Sequence, residues 1–367
     1  MSQGVIFGGP SPEHDISILT GLQALRELRR HGDALGLYWT KSGAFYLVNG
    51  DVEAEGFLDG VPAGSTEVNL RPGEPGGFVQ PGGRLGRERR LDLDAVILAT
   101  HGGPGEDGTL QAALDLAGVP YSGPSVAGAA LGMDKWAFGA VVAAAGLPTL
   151  PRALLEAETE SISFGGPYIL KPRFGGSSIG IDVVEDLATA RARRRTNPHF
   201  ARGCVVEPYR SDLRDLQIAV RTYPTVELSA IERPLRRDDR VEILDYRDKY
   251  VGGEGMVSAP REIPANLPPE RTARIRDIAR EVARVASVRG VARIDFLAGD
   301  DELYVNEVNT IPGSLSKHLF VDPPLPFGQL LSDLLAEARE RPTRLFSAEG
   351  ADGLALRRAG SIAAKLA

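Results

Sequence analysis

The chain has 367 residues and a mass of 39.2 kDa, which is enough for two or three domains with hydrophobic cores of their own. Its composition, 43% hydrophobic and 25% charged, excludes disordered and fibrous proteins. The 42 Lys and Arg residues against 49 Asp and Glu residues give a net charge of −7, which argues against binding nucleic acid or an anionic membrane through bulk charge. One cysteine, Cys204, excludes a disulfide framework and a structural zinc site.

The N-terminal residues MSQGVIFGGPSPEHD lack the cationic and apolar regions of a signal peptide. No stretch has the roughly 18 consecutive apolar residues of a membrane-spanning helix. We therefore expect a cytoplasmic protein that has neither a membrane partner nor a nucleic-acid partner.

Glycine and proline are numerous, with 43 and 26 residues, but they form no repeat. Many cluster at the ends of predicted strands, in the segments GGPSPEHD, HGGPGEDG, RFGGSSIG and NTIPGS. Glycine at such positions allows backbone N–H groups to approach a ligand closely. The clusters therefore predict an enzyme built on phosphate-binding loops.

The first part of the chain alternates predicted strands and helices, a pattern that favours a parallel sheet. Apolar residues spaced by three or four predict a helix between Ile16 and Leu28. Residues 50–90, which contain several Gly and Pro, are predicted to form an insertion or an extended hairpin region. The remaining elements of this unit are strands at 4–7, 35–49 and 95–99 and a helix that begins near Thr109.

A second unit begins near Met133, and its first helix is predicted to end at Gly146. A third unit begins near Leu216 with long β segments. The segment after about residue 342 gives no readable signal. The predicted elements of these two units are helices at 134–145 and 270–288 and strands at 168–171, 181–184, 204–207, 292–297 and 303–309.

The last two predicted strands carry the most informative side chains. Because residues two apart on a strand share a face, Arg293 projects with Asp295, and Glu307 projects with Asn309. If the strands are neighbours, two carboxylates and a carboxamide oxygen converge beside one guanidinium, and such ligands suit Mg²⁺ together with substrate phosphates. The alternative is a surface salt-bridge ladder, which is disfavoured because a Pro-Gly turn follows Asn309 almost directly.

Two lysines suit the phosphate end of a nucleotide. Lys135 lies just inside a predicted helix start, where free N–H groups and the helix dipole favour anions. Lys171 ends an apolar strand and precedes the loop 173–180, which offers backbone N–H groups and the hydroxyls of Ser177 and Ser178. Either lysine alone is more often a solvated charge, but its position before a Gly/Ser-rich loop favours a functional role for Lys171.

The segment 176–180, Gly-Ser-Ser-Ile-Gly, also matches the G-x-S-x-G pattern of serine hydrolases. That mechanism needs the serine on a tight turn between a strand and a helix, followed by a histidine and an acid. Here four residues separate the strand from the motif, and another strand follows it, so the hydrolase hypothesis is disfavoured. The chain also lacks a Walker A motif and has no GxGxxG after its first strand, which disfavours P-loop kinases and Rossmann dehydrogenases.

Six ordered motifs together resemble those of the D-alanine–D-alanine ligases of the ATP-grasp superfamily. The motifs are FGGPSPEHDIS, HGGPGEDGTLQ, YSGPS…GMDK, LKPRFGGSSIG, DYRDKY and RIDF…VNEVNTIPG. The resemblance implies a mixed α/β protein with the three-domain ATP-grasp fold, whose N-terminal α/β domain contains a parallel sheet. The implied parts are an N-terminal domain (1–123), a central ATP-grasp subdomain (124–210), a C-terminal ATP-grasp subdomain (211–341) and a tail (342–367).

The resemblance also implies an ATP site. The positions that it assigns are Lys135, Lys171 and Ser178 at the phosphates, Glu207, Pro208, Tyr209 and Arg210 at the adenine, Asp215 at the ribose, and Lys249 in a loop that closes over the site. Asp295, Glu307 and Asn309 resemble the ligands of two Mg²⁺ ions, with Mn²⁺ as an alternative metal.

The substrate positions follow from the same resemblance. Glu13, Ser177 and Tyr250 resemble the three residues that link the closing loop to the first substrate, with Glu13 meeting its ammonium group. Arg293 and the N–H of Gly313 resemble the pair that stabilises an oxyanion. The matching loop of the first domain contains His101.

The chain departs from the family pattern at the second substrate. A serine that grips the acceptor carboxylate is expected where this chain has His318. Ser316 and Lys317 are alternative candidates for that contact, and a different acceptor is the other possibility.

The activity implied by the resemblance is ATP-dependent joining of two D-alanines, through an acyl phosphate, for peptidoglycan synthesis by a cytoplasmic homodimer. Two alternatives remain open at this point. One is a paralogue that joins another amino acid or hydroxy acid in secondary metabolism or antibiotic resistance, and the other is a nucleotide-binding protein without ligase turnover.

Overall fold

The computed structural model describes residues 2–73, 75–82, 86–235, 260–343 and 347–359. Lys249 and Tyr250 lie outside the described residues. Within the described residues, the α-helices are α1 (His14–Arg29), α2 (Thr109–Ala117), α3 (Val126–Met133), α4 (Lys135–Ala144), α5 (Leu187–Thr196), α6 (Pro269–Val285), α7 (Phe327–Glu340) and α8 (Leu354–Ala359). Among these residues, no helix combines the length and the apolar character that a bilayer span requires.

The strands in the described part of the chain form three separate sheets. The first contains β1 (Ser2–Gly8), β2 (Ala34–Trp39), β3 (Phe45–Val48), β4 (Thr66–Arg71), β5 (Gly77–Gln80), β6 (Arg89–Arg90) and β7 (Leu93–Leu98). The second contains β8 (Ala153–Leu154), β9 (Tyr168–Pro172), β10 (Asp182–Val184) and β11 (Cys204–Pro208). The third contains β12 (Arg214–Arg221), β13 (Glu227–Pro234), β14 (Arg261–Glu262), β15 (Val291–Ala298) and β16 (Leu303–Asn309).

The first sheet has the order β6-β5-β4-β3-β2-β1-β7. Strands β2, β1 and β7 are parallel, as the alternating pattern predicts, whereas β3 to β6 extend the sheet with antiparallel pairs. The region 50–90 therefore contributes strands to this sheet, in agreement with its prediction as a hairpin region. Helix α1 packs closely on β1 because Gly21 has no side chain; a Cβ atom there would lie 2.3 Å from Cβ of Phe7.

The apolar core of the first sheet includes residues from the far end of the chain. Leu330, Leu331 and Leu334 of α7 are buried in the same cluster as Val5 and Ile97 of the central strands. The amphipathic pattern of α7, with apolar residues three and four apart, accounts for this packing. The helix therefore covers the N-terminal sheet although it lies within 211–341.

The second and third sheets consist of antiparallel pairs, with the orders β10-β9-β11-β8 and β14-β13-β12-β15-β16. Helix α6 packs against the third sheet through the apolar stripe that contains Ile275, Ile278 and Val282. The three sheets fall within 1–123, 124–210 and 211–341, while the domain boundaries themselves stay predictions. The mixed α/β class predicted from the sequence is confirmed.

Candidate active site

A cleft between the second and third sheets brings most of the predicted nucleotide positions together. It encloses about 1120 Å³, including the space at its open mouth. The predicted residues that line it are Lys135, Lys171, Ser177, Ser178, Glu207, Pro208, Tyr209, Arg210, Asp215, Asp295 and Glu307. These side chains come from both sheets and from the loop 173–180, so the cleft is formed by long-range contacts.

The floor of the cleft at one end is the β15–β16 pair. In its register Arg293 lies opposite Asn309, and Asp295 lies opposite Glu307, as the alternation of the two strands predicts. The guanidinium of Arg293 donates to both carboxylate oxygens of Asp295, over 2.7 and 2.9 Å. The carboxamide of Asn309 donates to the same carboxylate over 3.1 Å. The four side chains therefore form one polar cluster.

Lys135 lies where the sequence predicts, at the first turn of α4. Asp134 caps that helix by accepting from the N–H groups of Trp136 and Ala137, each over 3.1 Å, and it also pairs with Arg173 of the loop 173–180. Burial opposes ionisation of this carboxyl, but Arg173 and the helix N–H groups hold the pKa of Asp134 below its usual value. The Nζ atom of Lys135 contacts the carbonyl oxygen of Gly175 and lies 3.6 Å from Glu307.

Lys171 is almost completely buried at the end of β9. Its Nζ atom donates to Glu207 Oε2 over 2.7 Å and to Asn306 Oδ1 over 3.1 Å. The second carboxylate oxygen of Glu207 forms an ion pair with Arg152 Nε at 2.9 Å. Burial opposes ionisation of Glu207, but the two cations hold its pKa below the usual range. The Glu207 side chain is therefore fully occupied by protein cations, so any contact with adenine at this position would have to come from its backbone.

The loop 173–180, which is predicted to bind phosphates and is called the phosphate loop below, meets the first domain at Glu13. The hydroxyl of Ser177 donates to Glu13 Oε1. A Cβ atom at Gly102 would lie 2.3 Å from Glu13 Oε2, and one at Gly176 would lie 2.9 Å from it, so both glycine-rich motifs leave room for this carboxylate. Ser177 and Ser178 both have positive φ, at 51° and 58°, a backbone conformation that residues other than glycine rarely adopt.

Glu106 is a member of the site that the residue-by-residue predictions omit. Its carboxylate accepts from the N–H of Gly102 at 3.0 Å, from the N–H of Ile311 at 3.0 Å and from the hydroxyl of Thr310 at 3.2 Å. Burial, and then the neighbouring charge of Glu13, raises its pKa to about 7. Glu106 lies within the motif HGGPGEDG. An acidic residue in this glycine-rich segment is the sequence feature that could have identified it as a site residue.

His101 connects the first domain to the turn that follows β16. Its Nδ1 atom lies 2.8 Å from the carbonyl oxygen of Ile311, which can only accept, so Nδ1 carries the proton. Nε2 then accepts from Thr20 Oγ1 over 2.8 Å, and Thr20 Oγ1 accepts from the N–H of Ser314 over 3.1 Å. Burial, opposed by the bond to Ile311 and assisted by the charge of Arg293, lowers the pKa of His101 to about 4.

The turn after Gly313 has an unusual backbone. Ser314, Leu315 and Ser316 all have positive φ, between 48° and 51°, a conformation that costs an L-residue roughly 1–2 kcal/mol. Leu315 and Ser316 are buried, and the N–H of Ser314 is held by Thr20. The surrounding contacts therefore hold a strained segment directly after the predicted oxyanion position at Gly313.

The three acceptor candidates point in different directions. Ser316 is fully buried, and no hydrogen-bond partner for its hydroxyl is found within the described part of the chain. Lys317 Nζ lies 4.6 Å from the ring centroid of Phe327, away from the cleft described above. His318 Nε2 lies 3.2 Å from Glu232 Oε2, and Glu232 is close enough to Arg293 for that charge to help lower its pKa, although burial opposes the shift. His318 is therefore linked to Arg293 of the β15–β16 cluster through Glu232.

The predicted hinge forms the other end of the cleft. Pro208 ends β11, and the N–H of Tyr209 donates to the carbonyl of Pro167 over 2.8 Å. Arg210 pairs with Asp212 and with Glu302, which lies between β15 and β16, and these two carboxylates raise the pKa of the guanidinium further above its usual value. The hinge is thus tied to both sheets that border the cleft.

Two family models match almost the whole chain. The model described as D-ala D-ala ligase N-terminus matches residues 2–124, and the model described as D-ala D-ala ligase C-terminus matches residues 129–336. Relatives named D-alanine–D-alanine ligase are 32% identical: one from Campylobacter lari over 325 residues, 88% of this chain and 90% of the relative, and one from Nocardia farcinica over 369 residues, 93% and 98%.

Solved structures have the same fold. The VanG D-Ala:D-Ser ligase from Enterococcus faecalis superimposes with a TM-score of 0.75 at 25% identity, covering 92% of this chain and 99% of that one. The D-alanine–D-alanine ligase from Helicobacter pylori gives a TM-score of 0.72 at 23% identity, covering 94% and 99%. The three-domain ATP-grasp fold expected from the motifs is confirmed, and the chain belongs to the D-alanine–D-alanine ligase family.

Proposed function

We propose that this protein joins two D-alanine molecules, with ATP converted to ADP and phosphate, to supply a dipeptide for peptidoglycan. The observation that carries this proposal is the convergence of two lysines, a Gly/Ser-rich loop and the β15–β16 carboxylates around one cleft. A carboxylate is a poor electrophile, so peptide formation from free amino acids needs a site that brings a phosphoryl donor to it. The cleft has the charges and the loop that such a donor requires.

Lys135, Lys171 and the loop 173–180 are our proposed phosphate site. Ser178 contributes its hydroxyl and both serines contribute backbone N–H groups, while Pro208, Tyr209 and Arg210 border the position proposed for adenine. For Glu207 we propose a contact with adenine through the backbone, because its carboxylate is already paired with two cations. Asp215 also lines the cleft and is proposed to contact the ribose, and Lys249 belongs to the loop proposed to close over it.

The oxygen atoms of Asp295, Glu307 and Asn309 fit a divalent metal. Asp295 and Glu307 lie opposite each other on neighbouring strands, Asn309 lies two residues after Glu307 on β16, and Lys135 Nζ lies 3.6 Å from Glu307. Carboxylate and carboxamide oxygens are the donors that Mg²⁺ prefers, with nucleotide phosphates completing its coordination. A bound metal would neutralise charge on the transferring phosphoryl group; two Mg²⁺ ions are our proposal, with Mn²⁺ as a substitute.

The first amino acid is proposed to bind beside Glu13, Ser177 and His101, with Tyr250 as the third member of the group that links the closing loop to it. Its carboxylate oxygen would attack the γ-phosphorus, forming an acyl phosphate and releasing ADP. The amine of the second amino acid would then attack the acyl carbon, and inorganic phosphate would leave. Arg293 and the N–H of Gly313 are assigned to the negative charge that develops on the oxygen.

Phosphate release and product analysis test the proposal. We expect release of phosphate from ATP only when D-alanine is present, and D-alanyl-D-alanine as the product by mass spectrometry. Release without any amino acid, or no release with D- and L-amino acids, would contradict ligase function and favour a nucleotide-binding protein without turnover. Release only with a different amino acid would reject D-alanine and keep the ligase.

A second candidate function is ligation to a different acceptor. It is favoured by one observation, the pairing of His318 with the buried carboxylate of Glu232 where the family has a serine. Products from a mixed pool of D- and L-amino acids and hydroxy acids would identify the acceptor. If His318→Ser leaves the acceptor preference unchanged, His318 does not select the acceptor.

Two further properties are proposed from the family resemblance alone. We place the enzyme in the cytoplasm and expect a homodimer. Light scattering coupled to size-exclusion chromatography at several concentrations distinguishes a dimer from a monomer of 39.2 kDa.

A further inference from the structure

Arg152 is a buried cation that the predicted roles do not use. Its side chain is 5% exposed, and that of its partner Glu207 is 1% exposed. The guanidinium forms the ion pair with Glu207 Oε1 and also donates to the backbone carbonyls of Lys135 and Asn306. It therefore touches the backbone of one proposed phosphate lysine, the carboxylate that holds the other, and the residue before Glu307.

The three charges at this position form a linked group. Glu207 accepts from Lys171 through Oε2 at 2.7 Å and pairs with Arg152 through Oε1 at 2.9 Å. Two cations and one anion leave a net charge of +1 next to the cleft. With Arg152 replaced by a neutral residue, the pair of Lys171 and Glu207 would have no net charge, and a nucleotide phosphate would meet a weaker field.

Helix α4 has a glycine that leaves room for this arginine. A Cβ atom at Gly139 would lie 2.5 Å from Arg152 Cδ and 2.7 Å from Arg152 Nη1. Glycine inside a helix is unfavourable relative to alanine by roughly 1 kcal/mol. The close approach of Arg152 gives a physical reason for glycine at this position.

We propose that Arg152 is a positioning residue for ATP, which neutralises Glu207 so that Lys171 keeps its positive charge directed at the nucleotide. The inference rests on the proposed function, because it needs Lys171 at the phosphates. Arg152 lines neither the nucleotide cleft nor the neighbouring cavity beside Glu13, so its effect on the nucleotide must pass through the groups that it contacts, of which Glu207 carries the charge.

The test measures binding of adenylyl imidodiphosphate with Mg²⁺ by isothermal titration calorimetry. We expect Arg152→Gln to weaken binding on the order of tenfold, as for loss of one buried charge, and Arg152→Lys to recover most of it. The double variant Arg152→Gln/Glu207→Gln restores the net charge of +1 and should bind within about threefold of the unchanged protein. KM for ATP should rise in Arg152→Gln and should return toward the value of the unchanged protein in Arg152→Lys and in the double variant. In all three variants kcat at saturating ATP should change little.

Gly139→Ala provides an independent test, because it should displace Arg152 without removing a charge. When Arg152 is present, Gly139→Ala should weaken binding of adenylyl imidodiphosphate. When it is added to Arg152→Gln, it should change this binding little. The control is Arg339→Gln, since Arg339 of α7 pairs with Asp94 of β7 over 2.7 Å, neither residue lines the cleft, and the change should leave binding unchanged.

Lys171→Met separates failure of this inference from failure of the proposed site. If Lys171→Met binds nucleotide normally, the proposed phosphate site is wrong. If it binds weakly while folded Arg152→Gln binds normally, only the role of Arg152 is overturned. If circular dichroism shows that Arg152→Gln is unfolded, the double variant Arg152→Gln/Glu207→Gln is the deciding test. Nucleotide binding close to that of the unchanged protein supports the role of Arg152, and weak binding rejects it.

Discussion

Ser177 of the phosphate loop donates a hydrogen bond to Glu13 of the first domain, across 164 positions of sequence. The same carboxylate is enclosed by Gly102 and Gly176, whose missing side chains leave the space it occupies. The proposed phosphate site and the proposed site of the first amino acid thus share one contact. A change at this contact should affect amino-acid binding before it affects nucleotide binding.

Ser177→Ala removes the hydrogen bond and keeps the carboxylate. Hydrogen bonds to charged groups contribute about 1.5–3 kcal/mol, so we expect KM for the first amino acid to rise by at least about tenfold. Binding of nucleotide, measured by calorimetry, should change by less than about threefold. Ser42→Ala, in a surface turn, is the matched control, and equal KM values for the two variants would contradict the role assigned to Ser177.

Arg293→Ala should abolish most turnover while nucleotide binding is retained. Loss of one oxyanion donor typically reduces kcat by roughly 10²–10³. The variant also frees the Asp295 carboxylate from its bidentate partner, so dependence on added Mg²⁺ should be measured in parallel. Normal kcat would exclude Arg293 from the chemical step.

Protonation of His101 should destabilise the protein in acid. Its pKa in the folded state is about 4, against an ordinary value of 6.5, so the unfolded chain binds a proton between these pH values and the folded chain does not. The stabilisation is complete above pH 6.5 and is lost as the pH falls toward 4, by about 3 kcal/mol. Glu106, whose pKa is raised to about 7, binds its proton in the folded state over the same pH range and therefore acts in the opposite direction. The contribution of His101 is the difference between the unchanged protein and His101→Gln in urea unfolding at pH 7.5 and 4.5.

His101→Gln should reduce that pH dependence, because glutamine stays neutral at both pH values. The exposed His31, on α1 near Glu27, gives the control variant His31→Gln, which should keep the dependence of the unchanged protein. An identical acid sensitivity in His101→Gln would show that other groups cause it.

Gly180→Ala should distort the phosphate loop. Gly180 has φ at 78°, and an added Cβ atom would lie 2.4 Å from Cβ of His199. Gly146 also has positive φ, at 72°, but has no atom within 4 Å of that position, so Gly146→Ala tests the backbone cost alone. We expect both variants to lower the melting temperature and only Gly180→Ala to weaken nucleotide binding. Removal of the facing atom in Gly180→Ala/His199→Gly should restore binding.

The sequence predicts the β15–β16 cluster well because it depends on a local rule. Residues two apart on a strand share a face, so Arg293 lies on the same face as Asp295, and Glu307 on the same face as Asn309. The register of the two strands then places these two pairs opposite each other. The phosphate lysines were predicted for a similar reason, since each follows a local signal at a helix start or a strand end.

Other features depend on contacts between distant segments and were missed. Helix α3 is rich in Ala and Gly and shows little amphipathic pattern, so the sequence gives a weak signal for it. Arg152 and Glu106 acquire their surroundings only when separate sheets meet, because their partners lie up to 154 and 205 positions away. The spacing of apolar and polar residues along the sequence does not predict contacts between such distant segments.

The location of α7 has a consequence for synthesis of the chain. Its leucines complete the core around β1 and β7, yet they lie more than 200 residues after those strands. When only the first 123 residues have left the ribosome, the apolar surface of this sheet that α7 covers in the folded protein is therefore still exposed. The N-terminal domain cannot finish folding before the rest, and nascent chains halted in the middle should aggregate or recruit chaperones.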